Sequence, residues 1–160
     1  MENPLSGPDA YSLFLSRIPA EYPDVLRSTV RYIPRGTWFG RANGLILFRN
    51  DLVLCVQEFL NFELQVIEGY GYEVSRSKLD ADELPESEEY CRASFPNKEK
   101  RWWYDSFPHP NDRSLASTHP HHKHVPPDIK HNRIPAPELT FTMPNLPFLI
   151  REVISQSLQP

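Results

Sequence analysis

Residues 45–59, with the sequence LILFRNDLVLCVQEF, decide the fold. Two apolar runs flank Asn50 and Asp51, residue types that tolerate the positive φ angles of a tight two-residue turn. This pattern predicts a β-hairpin with its turn at 50–51. Successive side chains of a strand point to opposite faces, so the even-numbered residues of the second strand share one face. Glu58 is the single carboxylate in that otherwise apolar row.

Three further strands are predicted after the hairpin. A third strand at about 64–76 contains Gly69 and Gly71, a glycine pair typical of a bulge, a bend or a close approach by other atoms. A fourth strand is predicted near 90–95, and the aromatic-rich stretch 101–107 predicts a fifth. Together these make an antiparallel sheet of about five strands across residues 36–107.

Helical patterns lie at both ends of the chain. Apolar residues at helical spacing after Pro8 predict a short helix that ends at Pro19. A second short helix is predicted at 23–30, within a helical N-terminal part of residues 1–34. Asn145 as N-cap and Pro147 in the first turn predict a C-terminal helix within 145–160.

Residues 108–144 are rich in proline and histidine, and we predict an irregular segment there because proline interrupts helices and central strands. The predicted fold class is therefore α+β. Short N-terminal helices and a C-terminal helix pack on one antiparallel sheet. A length of 160 residues suits a single domain, 1–160.

Composition excludes several classes of protein. The hydrophobic fraction of 39% and the charged fraction of 24% are typical of a folded soluble protein rather than a disordered or fibrous one. No run approaches the roughly 20 apolar residues of a membrane span, and no signal-peptide pattern is present. We therefore predict a cytoplasmic protein. In that reducing compartment Cys55 and Cys91 are expected to be buried thiols.

All six histidines lie between His109 and His131. Residues 96–136 carry seven basic and four acidic side chains, although the whole chain has a net charge of −4. Such a locally basic segment can attract a polyanion. Its densest part, HPHHKHVPP at 119–127, projects His122 and His124 to one side of an extended chain and His121 and Lys123 to the other.

Three interpretations of the histidine segment are open. A pair of histidines can act as acid and base on a phosphodiester while a neighbouring cation stabilises the developing charge. Histidine-rich segments also bind divalent metal ions, although no recognised zinc-ligand spacing is present. The third interpretation is a solvated surface loop without a function.

Supporting residues must come from elsewhere in the fold. Glu58 is a candidate orienting carboxylate or general base, because burial raises the pKa of a carboxyl group. A structural ion pair is the alternative for Glu58. Asp105 can hold an imidazole in one tautomer or cap the next turn. Trp102 and Tyr104 suit either base stacking or core packing.

Four motifs carry a resemblance to a known family. They are Leu54-Cys55-Val56-Gln57-Glu58, Tyr70-Gly71-Tyr72, Trp102-Trp103-Tyr104-Asp105 and Pro120-His121-His122-Lys123-His124-Val125. From about residue 43 to the C-terminal helix, the chain resembles the TumE-type toxins, small components of prokaryotic toxin–antitoxin modules. It departs from the family pattern at Trp103, where an arginine is typical, and at Pro110, where a second histidine is typical.

The resemblance implies a toxin that acts on cellular RNA and is neutralised by a cognate antitoxin. With the histidine argument it leads to the hypothesis of a histidine-dependent ribonuclease that needs no cofactor and has no membrane partner. We assign proton transfer to His122 and His124, and their orientation to Glu58 and Asp105. The candidate substrate contacts are His121, Lys123, Arg101, Tyr104 and Trp102.

Two other functions stay open. In the first, the aromatic strand and the histidine segment form a non-catalytic surface that binds a partner protein. In the second, the chain is a metal-dependent nuclease or hydrolase with His122, His124 and Glu58 as metal ligands. The sequence does not indicate an oligomeric state.

Overall fold

The structure is a computed structural model that describes residues 2–106 and 121–156. Its helices are a short 3-10 helix at Pro4–Ser6, α1 (Pro8–Ser16), α2 (Ile18–Glu21), α3 (Ser87–Tyr90) and α4 (Leu146–Gln156). Its strands are β1 (Val25–Ser28), β2 (Arg31–Pro34), β3 (Phe39–Phe48), β4 (Leu52–Asn61), β5 (Val66–Arg76), β6 (Glu99–Asp105), β7 (His122–His124) and β8 (Arg133–Pro135). None of the helices in these ranges has the length and apolar character required to span a membrane.

Within the described ranges, eight strands form one antiparallel sheet in the order β1-β3-β4-β5-β6-β7-β8, with β2 also paired to β3. The predicted hairpin is confirmed by the pairing of Leu47 with Val53 across β3 and β4. Asp51 in its turn has a positive φ of 62°. The α+β class, the antiparallel sheet and the C-terminal helix are confirmed. The expected number of about five strands is wrong.

The first correction concerns the N-terminal part. The predicted helix at 23–30 is replaced by β1 and by the turn into β2, and both strands pair with β3. This arrangement requires glycine at position 44 of β3. The Cβ atom of any other residue there would lie 2.4 Å from the Cα atom of Val30. The chain therefore crosses from β1 to β2 in close contact with the β3 backbone.

Two other segments differ from their predictions. The fourth strand expected at 90–95 is absent from the described residues, and turns follow α3 there. The segment 108–144, expected to be irregular, contains β7 and β8. Pro135 ends β8, which is an edge strand and so has a free side where a missing N–H is tolerated. Residues 107–120 and 157–160, which include His109, Pro110 and Pro120, lie outside the described residues.

The two faces of the sheet carry different layers. On the first, which we call the helix-covered face, α1, α2 and α4 pack over the main core around Tyr11, Leu54 and Ile150. On the second, which we call the cleft face, a smaller cluster around Val53 and Tyr90 is packed by residues from 79–95. That segment covers one end of the cleft face, and a cleft opens beside it.

A disulfide joins Cys55 of β4 to Cys91, so the prediction of two free thiols is wrong. The Cα atoms are 6.1 Å apart, within the usual range for a disulfide. Their sequence separation of 36 positions hid this proximity. The bond attaches the 79–95 segment to the cleft face.

Candidate functional site

Asp105, His122 and His124 meet on the cleft face and form what we call the trio. Strand β6 pairs with β7 so that Asp105 lies opposite His122 and Trp103 lies opposite His124. Residues opposite one another in a sheet share a face, which places the carboxylate and both imidazoles together. Asp105 Oδ1 lies 2.6 Å from His122 Nε2, and Asp105 Oδ2 lies 3.2 Å from His124 Nε2.

The trio is buried at its histidines and accessible at its carboxylate. The side chains of His122 and His124 are 1% and 4% exposed, whereas that of Asp105 is 20% exposed and lines the cleft. Burial raises the pKa of Asp105, but its hydrogen-bonding and electrostatic contacts with His122 and His124 outweigh it, and the net pKa shift is downward. Asp105 is therefore ionised at neutral pH.

His124 is held at both of its ring nitrogens. Nδ1 lies 3.1 Å from the Ile129 carbonyl oxygen, and Nε2 faces Asp105. Because a carbonyl oxygen can only accept, Nδ1 is the nitrogen that carries a proton. The indole of Trp103 stacks on the imidazole with ring centroids 4.0 Å apart. These contacts fix the orientation and the tautomer of the ring.

A cleft of about 530 Å³ lies on the sheet beside Asp105. Part of its floor is a cross-strand row that runs from Asn43 through Gln57 and Gly71 to Asp105. Gly71 has no side chain, so the floor is low next to Asp105. The sequence predicts a bulge, a bend or a close approach at the glycine pair Gly69 and Gly71. At Gly71 the structure has open space above the sheet, where other atoms can approach.

Two arginines at the cleft have no acidic partner among the residues that the structure describes. Arg41 and Arg92 line it, and neither makes an ion pair within the described residues. Arg41 Nε and Asn43 Oδ1 are buried and lack a hydrogen-bond partner in the described part of the chain. Buried polar atoms are normally satisfied, so these two call for a ligand or a solvent molecule. A phosphate group would suit the guanidinium.

Sequence analysis missed Arg41. The available signal was the alternation of Arg41 and Asn43 with the apolar Ala42, which is typical of a strand with one polar face. The predicted strand begins at Leu45, whereas β3 begins at Phe39, so the prediction leaves out Arg41 and Asn43.

Three of the predicted substrate contacts lie on the helix-covered face, opposite the trio. Lys123 Nζ lies 3.0 Å from Glu152 Oε2 of α4. Tyr104 donates a hydrogen bond of 2.7 Å to the same carboxylate, and Trp102 Nε1 donates one of 3.0 Å. These side chains hold α4 against the sheet, and the structure does not bring them to the trio.

His121 and Arg101 are also separate from the trio. His121 Nδ1 lies 2.6 Å from the hydroxyl of Tyr70, whose ring belongs to the main core. Arg101 is exposed and pairs with Glu99 at 2.9 Å. The predicted substrate contacts of these residues therefore stay predictions, and Arg41 is among the cationic side chains that line the cleft.

Glu58 lies in the main core, on the face opposite the trio. Its carboxylate is fully buried and accepts hydrogen bonds from the hydroxyls of Tyr11, at 2.5 Å, and Tyr72. Asn145, just before α4, donates to the Tyr72 hydroxyl at 3.2 Å. Glu58 thus links α1, the sheet and the start of α4, and it does not converge with His122 or His124 as its predicted orienting role requires.

Glu58→Gln is expected to change how stability depends on pH. Burial raises the pKa of Glu58 above its ordinary 4.5, although hydrogen bonds from Tyr11 and Tyr72 offset part of this rise. A raised folded-state pKa gives stability that is complete below pH 4.5 and is lost as the pH rises through the folded pKa. The variant lacks this loss, so its melting temperature relative to wild type should increase from pH 4.5 to pH 8. Thermal unfolding across that range tests the prediction, and a constant difference contradicts it.

Comparison with known proteins gives one family. A family model described as Toxin TumE matches residues 17–157, a range that contains the trio and the arginines of the cleft. No curated protein and no solved structure matches the chain significantly. Membership of a toxin family implies a cognate antitoxin as partner. Because the match covers most of the chain, the protein belongs to the TumE toxin family and is a toxin component of a toxin–antitoxin system.

Proposed function

We propose that this toxin is a ribonuclease whose reaction centre is the trio of Asp105, His122 and His124. The observation that carries the proposal is the convergence of two imidazoles and an ionised carboxylate beside a cleft lined by Arg41, which makes no ion pair with another described residue. Phosphodiester cleavage needs groups that activate an oxygen nucleophile and a cation that stabilises negative charge on the phosphate. The trio supplies the first and Arg41 supplies the second.

RNA supplies its own nucleophile. The 2′-hydroxyl gives up its proton, its oxygen attacks phosphorus, and the bond between phosphorus and the 5′ oxygen breaks. The leaving 5′ oxygen takes a proton, so the products are a 2′,3′-cyclic phosphate and a 5′-hydroxyl. Activation of the 2′-hydroxyl is the step assigned to the trio, and either an imidazole base or a cation held by the trio can perform it.

Exposed aromatic rings next to the cleft support single-stranded RNA as the substrate. Phe59 pairs with Arg41 across β3 and β4, and Phe39 lies two residues along the same face. Their exposed fractions are 40% and 42%. Gly69 of β5 pairs with Phe59 of β4, and it has no side chain that could cover the phenyl ring. Exposed rings beside a guanidinium group bind unpaired bases by stacking.

The test is cleavage by the purified full chain of a single-stranded RNA oligomer and of the DNA oligomer of the same sequence. We expect cleavage of the RNA alone, with 2′,3′-cyclic phosphate ends, because the DNA lacks the 2′-hydroxyl. Arg41→Met should lower kcat/KM by about 10- to 100-fold, since a charge-assisted hydrogen bond to phosphate is worth about 1.5–3 kcal/mol.

Arg151→Met is the matched control, because Arg151 is an exposed residue of α4, on the side of the sheet opposite the cleft. It should leave kcat/KM within about twofold of wild type. A chain that arrests growth yet cleaves neither the oligomer nor total cellular RNA contradicts the proposal. Retention of antitoxin binding in that case would favour a toxin that acts by binding alone.

A further inference from the structure

We propose that Asp105, His122 and His124 bind one divalent transition-metal ion, such as Zn²⁺ or Mn²⁺. This inference deepens the proposed ribonuclease by naming a cofactor for the same three residues. It departs from the expectation of a reaction without a cofactor. Binding of the ion does not depend on the substrate, so it can be tested separately from RNA cleavage.

The positions of the three ligand atoms carry the first part of the argument. One atom from each residue lies within 4.8 Å of the other two. Bonds of about 2.0–2.2 Å from a tetrahedral ion separate its ligand atoms by about 3.4 Å. The 2.6 Å contact between Asp105 and His122 must therefore widen by about 0.8 Å, and ligand atoms that lie as far as 4.8 Å apart must approach by up to about 1.4 Å. Rotations of the three side chains have to supply both changes.

The tautomer of His124 carries the second part. With its proton on Nδ1 and directed at the Ile129 carbonyl, a neutral His124 ring presents the Nε2 lone pair to Asp105. A lone pair and a carboxylate oxygen 3.2 Å apart repel each other, so a positive charge is required between them. A proton or a metal ion can provide that charge.

The burial and the spacing of the two rings favour the metal ion. Their centroids are 5.1 Å apart, both side chains are almost fully buried, and the Nε2 atoms of both rings face the carboxylate of Asp105, so the nitrogen and oxygen donor atoms of three residues converge. One divalent ion can accept a lone pair from each ring and from the carboxylate. A histidine that binds a metal ion through one ring nitrogen commonly donates a hydrogen bond from the other to a backbone carbonyl. His124 Nδ1 has such a partner in the Ile129 carbonyl oxygen.

The accessible side of the trio fits a catalytic site. Asp105 lines the cleft whereas the histidines lie behind it, so a fourth ligand position would face the cleft. Catalytic zinc sites commonly combine three protein ligands with one such open position. An ion there would act as a Lewis acid on a phosphate oxygen or an activated hydroxyl, with Arg41 also at the cleft.

Trp103 provides a direct readout of binding. Because its indole stacks on His124, an ion at the trio is expected to change tryptophan fluorescence. The full chain, first stripped with EDTA and dialysed, is titrated with Zn²⁺, Mn²⁺ and Mg²⁺ by fluorescence and by calorimetry. We expect about one transition-metal ion per chain, and Mg²⁺ should bind far more weakly because imidazole is a poor magnesium ligand.

Two variants and one control identify the site. His124→Gln and Asp105→Asn should weaken binding at least about 100-fold, since each removes one of three ligands. His131→Gln is the control, because His131 is an exposed imidazole paired with Asp128 outside the trio. It should bind the ion as wild type does. Circular dichroism confirms that each variant is folded before titration.

The outcomes separate the two proposals. Failure of the folded wild type to bind an ion, or equal binding by His124→Gln, overturns the metal site. RNA cleavage that persists in EDTA by a chain shown to be free of metal overturns the role of the ion as a cofactor, and leaves the ribonuclease. Ion binding at the trio without cleavage of any RNA supports the metal site and overturns the ribonuclease.

Discussion

Asp105→Asn is expected to abolish growth arrest and to lower kcat/KM for RNA cleavage by about 100-fold or more. The amide keeps the size of the side chain but removes the negative charge that both imidazoles face. Loss of a carboxylate that orients histidine or binds a metal ion commonly costs one to four orders of magnitude in activity. Cleavage of a single-stranded RNA oligomer and colony counts after induction measure the two effects.

Asp128→Asn is the matched control for this substitution. Asp128 also pairs with a histidine, but both partners are exposed and lie outside the trio. It should retain the cleavage rate and the toxicity of wild type. If Asp105→Asn behaves in the same way, the trio is not the reaction centre of this toxin.

Glu58→Ala is expected to lower the free energy of unfolding by about 3–5 kcal/mol. The substitution leaves the buried hydroxyls of Tyr11 and Tyr72 without their acceptor, at about 1–3 kcal/mol each. It also leaves a small void where the side chain packed. Urea denaturation followed by circular dichroism measures the change.

Glu58→Gln separates a structural role from a catalytic one. Its amide oxygen accepts from one tyrosine, and its amide nitrogen donates to the other after the hydroxyl rotates. The variant should unfold within about 1.5 kcal/mol of wild type and cleave RNA within about twofold of its rate. A 100-fold loss of cleavage in a stable Glu58→Gln chain would show that Glu58 acts in the reaction, as the sequence suggested.

Local patterns predicted the elements that depend on local physics. The turn at 50–51 follows from residues that tolerate positive φ, and α4 follows from a proline in its first turn and an apolar stripe. The separation of His122 and His124 from Lys123 follows from the twofold alternation of an extended chain. The structure confirms this separation, since Lys123 contacts Glu152 on the opposite face.

Elements stabilised by their neighbours escaped prediction. Strands β1, β2, β7 and β8 are three or four residues long. Such short segments have little strand preference of their own, and their stability comes from pairing, with β3 for β1 and β2, with β6 for β7, and with β7 for β8. The proximity of Cys55 and Cys91 likewise depends on where the 79–95 segment packs, which neither residue specifies.

The sequence by itself determined the α+β class, the hairpin, the first N-terminal helix, the C-terminal helix and the family resemblance, because each rests on neighbouring residues or on motif identity. Only the tertiary structure decided which carboxylate meets the histidines. Glu58 and Asp105 are equally plausible partners along the chain. The pairing between strands sets which side chains share a face, and it places Asp105 beside His122 while turning Glu58 into the core. That register results from the packing of the whole sheet, and no local pattern encodes it.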